Sequence, residues 1–285
     1  MYNHRMITMR KGKNMKSRQW YYRTGVLLLL CLMLPALEAA AESDEEIVKK
    51  SLNPVAAMIS FPMQFNQDKG IGTTDDARRT WINLQPIIPA ELSKDTNCII
   101  RTIIPIIKAD SPDPGGETES GMGDILQSFF ISPQDPVNGW IMGFGPAFLY
   151  PSARNNALGA DKWCAGPTGV LLRQESGFTY GLLFNHLWSF AGNDDRENVS
   201  ATFLQPFLGY TTKTYTTLLV NTESTYDWKN SQWTVPINIM LNQMLKIGAG
   251  QPISLQLGYR TYTEAPEYGP DWGLRFAITF LFPRG

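Results

Sequence analysis

The sequence predicts an all-β chain, a single transmembrane, antiparallel, up-and-down β-barrel of about 12 strands with short periplasmic turns and longer external loops. Three observations carry this. Large apolar side chains recur at every second position, which is the spacing of a strand with one greasy face. An export leader precedes them. The connections also alternate in length, and outer-membrane barrels sort their loops in the same way.

The leader comes first. Residues 1–24 hold Arg5, Arg10, Lys11, Lys13, Lys16, Arg18 and Arg23 and no acid; "VLLLLCLML" and "PALEAAAES" follow. A basic start, a short apolar stretch and an A-x-A end describe a signal peptide, with cleavage expected after Ala41. A membrane helix is the competing explanation, but the apolar stretch is about a dozen residues long and a helix needs roughly twenty to cross. Met15, followed by "KSRQWYYRTG", offers a second start that would give a leader of ordinary length. Cys31 follows four leucines rather than a small residue and leaves with the leader.

Losing residues 1–41 removes seven basic residues and one acid, so a formal net charge of −1 becomes roughly −7. Nucleic acid needs basic surface and is excluded as a partner. Residues 42–52, "ESDEEIVKKSL", are expected to form a short periplasmic segment, with a helix that either lies free or tucks into the bore. The barrel is expected over 53–285.

Its strands read as 54–65, 80–89, 98–108, 124–132, 139–150, 163–173, 178–190, 201–211, 215–226, 232–245, 252–263 and 271–282. The first aromatic or aliphatic lane is Val55, Ala57, Ile59, Phe61, Met63 and Phe65. The fifth runs from Trp140 to Tyr150, the seventh from Phe178 through Trp188 to Phe190, and the tenth begins at Trp233. The twelfth runs from Trp272 to Phe282. Trp140, Tyr150, Phe178, Trp188, Trp233, Trp272 and Phe282 thus sit at lane ends, where aromatic girdles meet the two membrane–water interfaces. The third, fourth and sixth strands are mixed and their faces stay open.

After strands 1, 3, 5 and 7 come "NQDKGIGTTDDARR", "ADSPDPGGETESGM", "PSARNNALGADK" and "AGNDDRENVS". After strands 2, 4, 6, 8 and 10 come "AELSKDTN", "SPQDPVN", "QESG", "TKT" and "GAGQ"; the link after strand 9, "DWKNSQ", is shorter than this pattern wants, and "EAPEYGP" is middling. A soluble two-sheet protein has no general reason for this parity. In hydrocarbon the backbone must be fully paired, so the strands are expected to close on themselves. Cys98 and Cys164 then fall at opposite ends of the barrel and stay free thiols, since a disulfide needs Cα atoms within about 7 Å.

"NPVAAMISFPMQFN", "GMGDILQSFFISP", "GWIMGFGPAFLYP", "LFNHLWSFAG", "ATFLQPFLGYTT", "NTESTYDW", "QWTVPIN" and "GPDWGLRFAITFLFP" resemble the bacterial outer-membrane β-barrel family grouped under the meta-pathway of phenol degradation. Its members are often named as transporters or misnamed neuromedin U. The resemblance covers essentially all of 53–283. It implies porin-like passage of small solutes, hydrophobic or aromatic ones included, through the outer membrane of a Gram-negative-type envelope. It supplies no catalytic or binding residue. The implied partners are outer-membrane lipids, lipopolysaccharide and the barrel assembly machinery.

With the aromatic lanes outside, the opposite lanes face a polar lumen. Candidates for a constriction are Arg101, Asn185 and Gln205, then Asn221, Glu223 and Asn238, then Gln256, Arg260 and Arg275. Arg260 and Arg275 lie on adjacent strands and are placed to meet Glu223. Rings of charge set selectivity in pores, though the same residues would equally fill a narrow barrel as a structural network. Twelve strands give a bore between the filled eight-stranded and the open sixteen-stranded barrels. A narrow or plugged lumen is expected.

No cofactor or metal site is expected. Asp75, Asp76, Asp194 and Asp195 lack the ligand spacing of a helix–loop–helix calcium site, and there is no His/Cys cluster. A lipid hydrolase would have to use His186, the only histidine past the leader. Ser189 falls on the opposite face from it, and no G-x-S-x-G elbow exists. A passive channel ranks first, a structural barrel second and a hydrolase third.

Overall fold

In the computed structural model, residues 42–248 and 250–283 are described; the expected leader, 1–41, lies outside them. The chain begins with helix α1 (Asp44–Ser51) and continues as fifteen strands in one sheet. These are β1 (Ile59–Ile71), β2 (Ala77–Leu84), β3 (Ile87–Ser93), β4 (Thr96–Ala109), β5 (Glu119–Met122), β6 (Ile125–Pro133), β7 (Trp140–Tyr150) and β8 (Lys162–Glu175). They continue with β9 (Phe178–Gly192), β10 (Ser200–Thr211), β11 (Thr216–Thr222), β12 (Ser224–Asp227), β13 (Gln232–Ile247), β14 (Gln251–Glu264) and β15 (Trp272–Phe282).

Three pairs of these strands are single staves with a break, which makes twelve staves in all. β2 and β3 part at Gln85–Pro86, where proline has no N–H to give a neighbour, yet their register against β4 is unchanged across the break. β11 and β12 part at Glu223 alone, again without a shift in register. β5 and β6 part at Gly123–Asp124. Every neighbouring pair is antiparallel, and β15 closes on β1 from Ile59↔Phe282 to Lys69↔Trp272. Closure leaves no sheet edge, so no row of N–H and C=O groups faces hydrocarbon unpaired.

The hairpins sort by end. At one end the links are tight apart from 134–139, which is longer than 72–76 and 228–231 at the other end; β8 and β9 join through Ser176–Gly177, with φ of 51° and 82°. Two consecutive left-handed residues make the turn whose twist matches the strands, and glycine suits the second position. At the other end lie the longer links, among them 110–118, 151–161 and 193–199.

The outer face is greasy. Phe144, Leu257, Leu274 and Ile239 are each more than half exposed, and aromatic rings gather toward both ends. Trp140 meets Tyr180, and Phe178 meets Tyr210, at the short-turn end; Tyr150 meets Trp163, and Tyr259 meets Trp272, at the long-loop end. Trp188 and Trp233 lie toward the long-loop end, and Phe282 lies at the short-turn end beside Ile59. Cys98 faces outward near the short-turn end of β4. Cys164 faces inward near the long-loop end of β8, and both are free.

The first strand departs from expectation. It spans Ile59–Ile71 rather than 54–65, and Val55 does not face outward with Phe61 and Phe65. Val55 is buried inside the barrel against Ile99, Phe130, Val170, Leu172 and Leu183. Alternation alone does not tell an outward lane from an apolar segment that enters the bore. Past residue 65 the strand continues through "NQDKGI" because Asn66 and Asp68 point inward to arginine partners. The first long loop therefore shrinks to 72–76.

Candidate functional site: the bore

The short-turn mouth is filled by the chain's own N-terminal segment. Ser43 caps α1: its hydroxyl accepts from Glu46 N–H at 3.3 Å, and Ser43 N–H donates to the Glu46 carboxylate at 3.2 Å. This reciprocal box stabilises a short helix by satisfying two free N–H groups. Acids in the first turn and Lys49 and Lys50 in the last complement the helix dipole. The helix buries Ile47 and Val48 against Ala56, Met58, Met244 and Leu281. Lys246 pairs with Asp44 at 2.6 Å, and Gln174 Nε2 donates to Lys49 C=O at 2.9 Å.

Toward the long-loop end a charged network crosses the bore. Arg275 grips Glu223 with two parallel bonds of 2.8 Å and donates from Nε to Asn66 Oδ1 at 2.8 Å. Arg260 reaches the same carboxylate at 3.2 Å and Asp68 at 3.3 Å. Its Nε donates to Asn238 Oδ1 at 2.7 Å, and Asn238 donates to Asn221 at 2.8 Å. Tyr262 Oη donates to Asp68 at 2.6 Å, and the Trp81 ring lies 5.4 Å from the Arg260 guanidinium carbon. Fork-on-carboxylate bonds of this kind are strong and directional. Each charge in the network has an opposite charge or an amide beside it, which is the condition for burying it.

Between the plug and this network lies a cavity of about 520 Å³. Arg101, Asn185, Gln205, Asn221, Glu223, Gln256 and Arg275 line it, while Arg260 and Asn238 stand just beyond in the network. The lining has two sides. Every wall Leu, Ile and Phe that faces the cavity comes from β3, β4, β6, β9, β10 or β11; the opposite arc, from β13 to β15 and β1 to β2, presents Gln64, Asn83, Asn242 and Gln256. Arg101 stands where the two arcs meet. Its Nη2 donates to Gln85 Oε1 at 2.9 Å.

Four residues of the network escaped the sequence reading: Asn66, Asp68, Trp81 and Tyr262. Parity would have found all four. Trp81 shares Asn83's lane and Tyr262 shares Arg260's within the expected strands, and Asn66 and Asp68 share Gln64's once the first strand is carried past its polar stretch.

His186 faces outward in β9. Its Nδ1 lies 2.7 Å from Thr202 Oγ1, which also accepts from Trp228 Nε1 at 2.8 Å. The ring lies against Trp188, 4.0 Å between centroids, and Nε2 has no partner. Ser189 turns to Asn198 and Val199 instead. In a Ser–His pair one ring nitrogen is held by an orienting group and the other faces the nucleophile; Thr202 holds Nδ1, and no hydroxyl or thiol lies on Nε2 among the described residues. Among the described residues no group of three His, Cys, Asp or Glu gathers as metal ligands.

No family model and no curated protein matches the chain. Among solved structures, the crystal structure of the COG4313 outer membrane channel from Pseudomonas putida F1 is similar at a TM-score of 0.62 and 13% identity, over 79% of this chain and 96% of that one. The fold is that of an outer-membrane β-barrel. A Salmonella typhi outer membrane phospholipase (OMPLA) dimer with bound calcium aligns at a TM-score of 0.46 and 9% identity, over 85% of this chain and 99% of that one. Salmonella typhi OmpF in complex with daunomycin aligns at 0.29 and 9%, over 79% and 97%. Neither of the last two scores carries an argument.

Proposed function

We propose that this chain is a passive outer-membrane channel for small solutes, hydrophobic or aromatic ones included, gated at its short-turn mouth by α1 and residues 53–58. The observation that carries the reading is the cavity of about 520 Å³ enclosed by a twelve-stave barrel and lined on one arc by amides and arginine. A barrel that only scaffolds a membrane has no need of an internal space with that lining. The likeness to an outer membrane channel supports the same reading, as does the resemblance to the meta-pathway family. In this reading residues 1–41 export the chain, the short turns face the periplasm, and the barrel assembly machinery inserts it among lipids and lipopolysaccharide. Arg101, Asn185, Gln205, Asn221, Glu223, Asn238, Gln256, Arg260 and Arg275 form the path's narrow section.

Refolded protein in planar bilayers tests this directly. The expected result is discrete current steps that become more frequent, at unchanged size, when Ile47→Asp and Val48→Asp are introduced together. Silence from both proteins across salts and voltages would leave a structural barrel, which the dense Arg260–Glu223–Arg275 network favours as the second reading. A lipid hydrolase is the third: the protein is expected to release no fatty acid from phospholipid, and release that Ala at position 186 abolishes would install the enzyme.

A further inference from the structure

Arg101 differs from the other two arginines of the bore. Arg260 and Arg275 share Glu223, and Arg260 also has Asp68. Arg101 has no carboxylate at ion-pair distance among the described residues; its single hydrogen bond goes to a neutral amide, Gln85 Oε1, and its Nε is buried with no partner at all. Glu223 is gripped by Arg260 and Arg275, so Arg101 faces the cavity with no carboxylate in contact. A guanidinium in that position gains a charge-assisted bond from an anion placed beside it.

The surroundings say what kind of anion fits. Gln85 is fixed in turn, donating to Gln64 Oε1 at 3.4 Å, so the amide that holds Arg101 belongs to a braced chain rather than a loose surface. Beside Arg101 on its own arc, Ile103, Phe203 and Phe207 face the cavity and are still partly exposed, while Phe130 and Leu183 next to them are already covered by Val55. A bare inorganic anion would leave that wall in contact with water. A hydrocarbon body fills it, and burying apolar surface there is favourable at roughly 25 cal/mol per Å². The cavity is of the size, ~300–1,000 Å³, that takes small organic ligands.

We propose that the cavity is a binding site for a small organic anion with an apolar body, a monocarboxylate, its carboxylate on Arg101 and its hydrocarbon against the Ile103–Phe203–Phe207 wall. This deepens the channel reading and rests on it for entry of the solute. The site works as a two-point selector: charge alone or grease alone satisfies half of it. Guanidinium is the suited partner because its planar fork matches a carboxylate with two bonds.

The test is equilibrium binding to the full chain in detergent, by calorimetry, with three probes: benzoate, its neutral counterpart benzamide, and acetate, which has the charge without the body. Wild type and the Ile47→Asp/Val48→Asp variant are both titrated, so that a closed mouth does not hide the site. Benzoate is expected to bind about tenfold or more tighter than either of the others, the factor that one charge-assisted bond supplies. Arg101→Gln is expected to erase the preference over benzamide, and Arg101→Lys to keep part of it while the barrel stays folded by circular dichroism. Equal binding of benzoate and benzamide, an unchanged preference in Arg101→Gln, or no benzoate binding to either protein would overturn the proposal. Conductance reads the channel separately. Current steps without benzoate preference sink the anion site alone, and benzoate preference without any current sinks the channel alone.

Discussion

Glu223 holds two guanidiniums at once, Arg275 by a two-bond fork and Arg260 by a single contact. Removing it leaves Arg275 without a counter-charge and Arg260 with Asp68 alone. Truncating one member of a buried charge cluster typically costs ~3–5 kcal/mol because the remaining charges lose their compensation. Glu223→Ala is therefore expected to lower unfolding stability by about that much in urea titrations of the refolded barrel followed by tryptophan fluorescence. Arg260 keeps Asp68, whereas Arg275 keeps only Asn66 and a distant sulfur, so Arg275→Met added to Glu223→Ala is expected to recover part of the loss. A single-variant loss below about 1 kcal/mol, the size of an ordinary surface change, would show that the network is solvated rather than buried. At this scale the sequence was informative for a simple reason: an arginine on an otherwise greasy strand has to face inward, and parity then places its neighbours. Arg260, Arg275 and Glu223 were legible that way. Asp68 was not, because its partner lies 192 residues away in the chain and its own surroundings, "NQDKG", read as a loop.

α1 is short, and its hold on the mouth rests on few contacts. Burying Ile47 and Val48 contributes roughly 1.5–3 kcal/mol each, and the capping box adds about 1 kcal/mol. The Lys246–Asp44 pair is half exposed and contributes little. Two aspartates in place of Ile47 and Val48 turn the favourable burial into a penalty, so α1 is expected to leave the mouth while the barrel itself stays closed. Ser43→Ala should do the same in smaller measure, raising the fraction of time in the conducting state without changing the step size. Hydrogen exchange at 44–51 measures release independently of current: the amides are expected to lose protection in the double variant and keep it in wild type. Protection unchanged in both would mean that the helix is held by something other than these two side chains. The plug was hard to see in the sequence. Two apolar residues make a weak helical face, and "PVAAMIS" alternates as a strand would. The strands with ambiguous faces have a related explanation. β4, β6 and β8 are apolar on both sides because their inner lanes, with Ile99, Phe130, Val170 and Leu172, pack against Val55 of the plug. Outward grease meets lipid and inward grease meets the plug, and periodicity cannot tell the two apart.

For the molecule as a whole, the deciding quantity is where water ends along the barrel. Twelve staves, closure of β15 on β1 and the sorting of links by length were legible because a membrane leaves only one way to pair every strand. Depth along the barrel axis is the quantity the fold commits to, and one strand measures it. On β13, Leu241 lies outward near the middle, half exposed on the bare protein, and Ile247 ends the same strand at the short-turn rim. Arginine on the lipid face costs ~2–4 kcal/mol at midplane and ~0–1 kcal/mol near the interface. Leu241→Arg is expected to fall in the first range and Ile247→Arg in the second when each is refolded into liposomes and titrated with denaturant. The two positions share a strand, a face and a side-chain chemistry, so the difference between them isolates depth. Equal costs would mean that the belt of Leu241, Leu257 and Leu274 is not in hydrocarbon. With both costs near zero, that belt would have to face water instead.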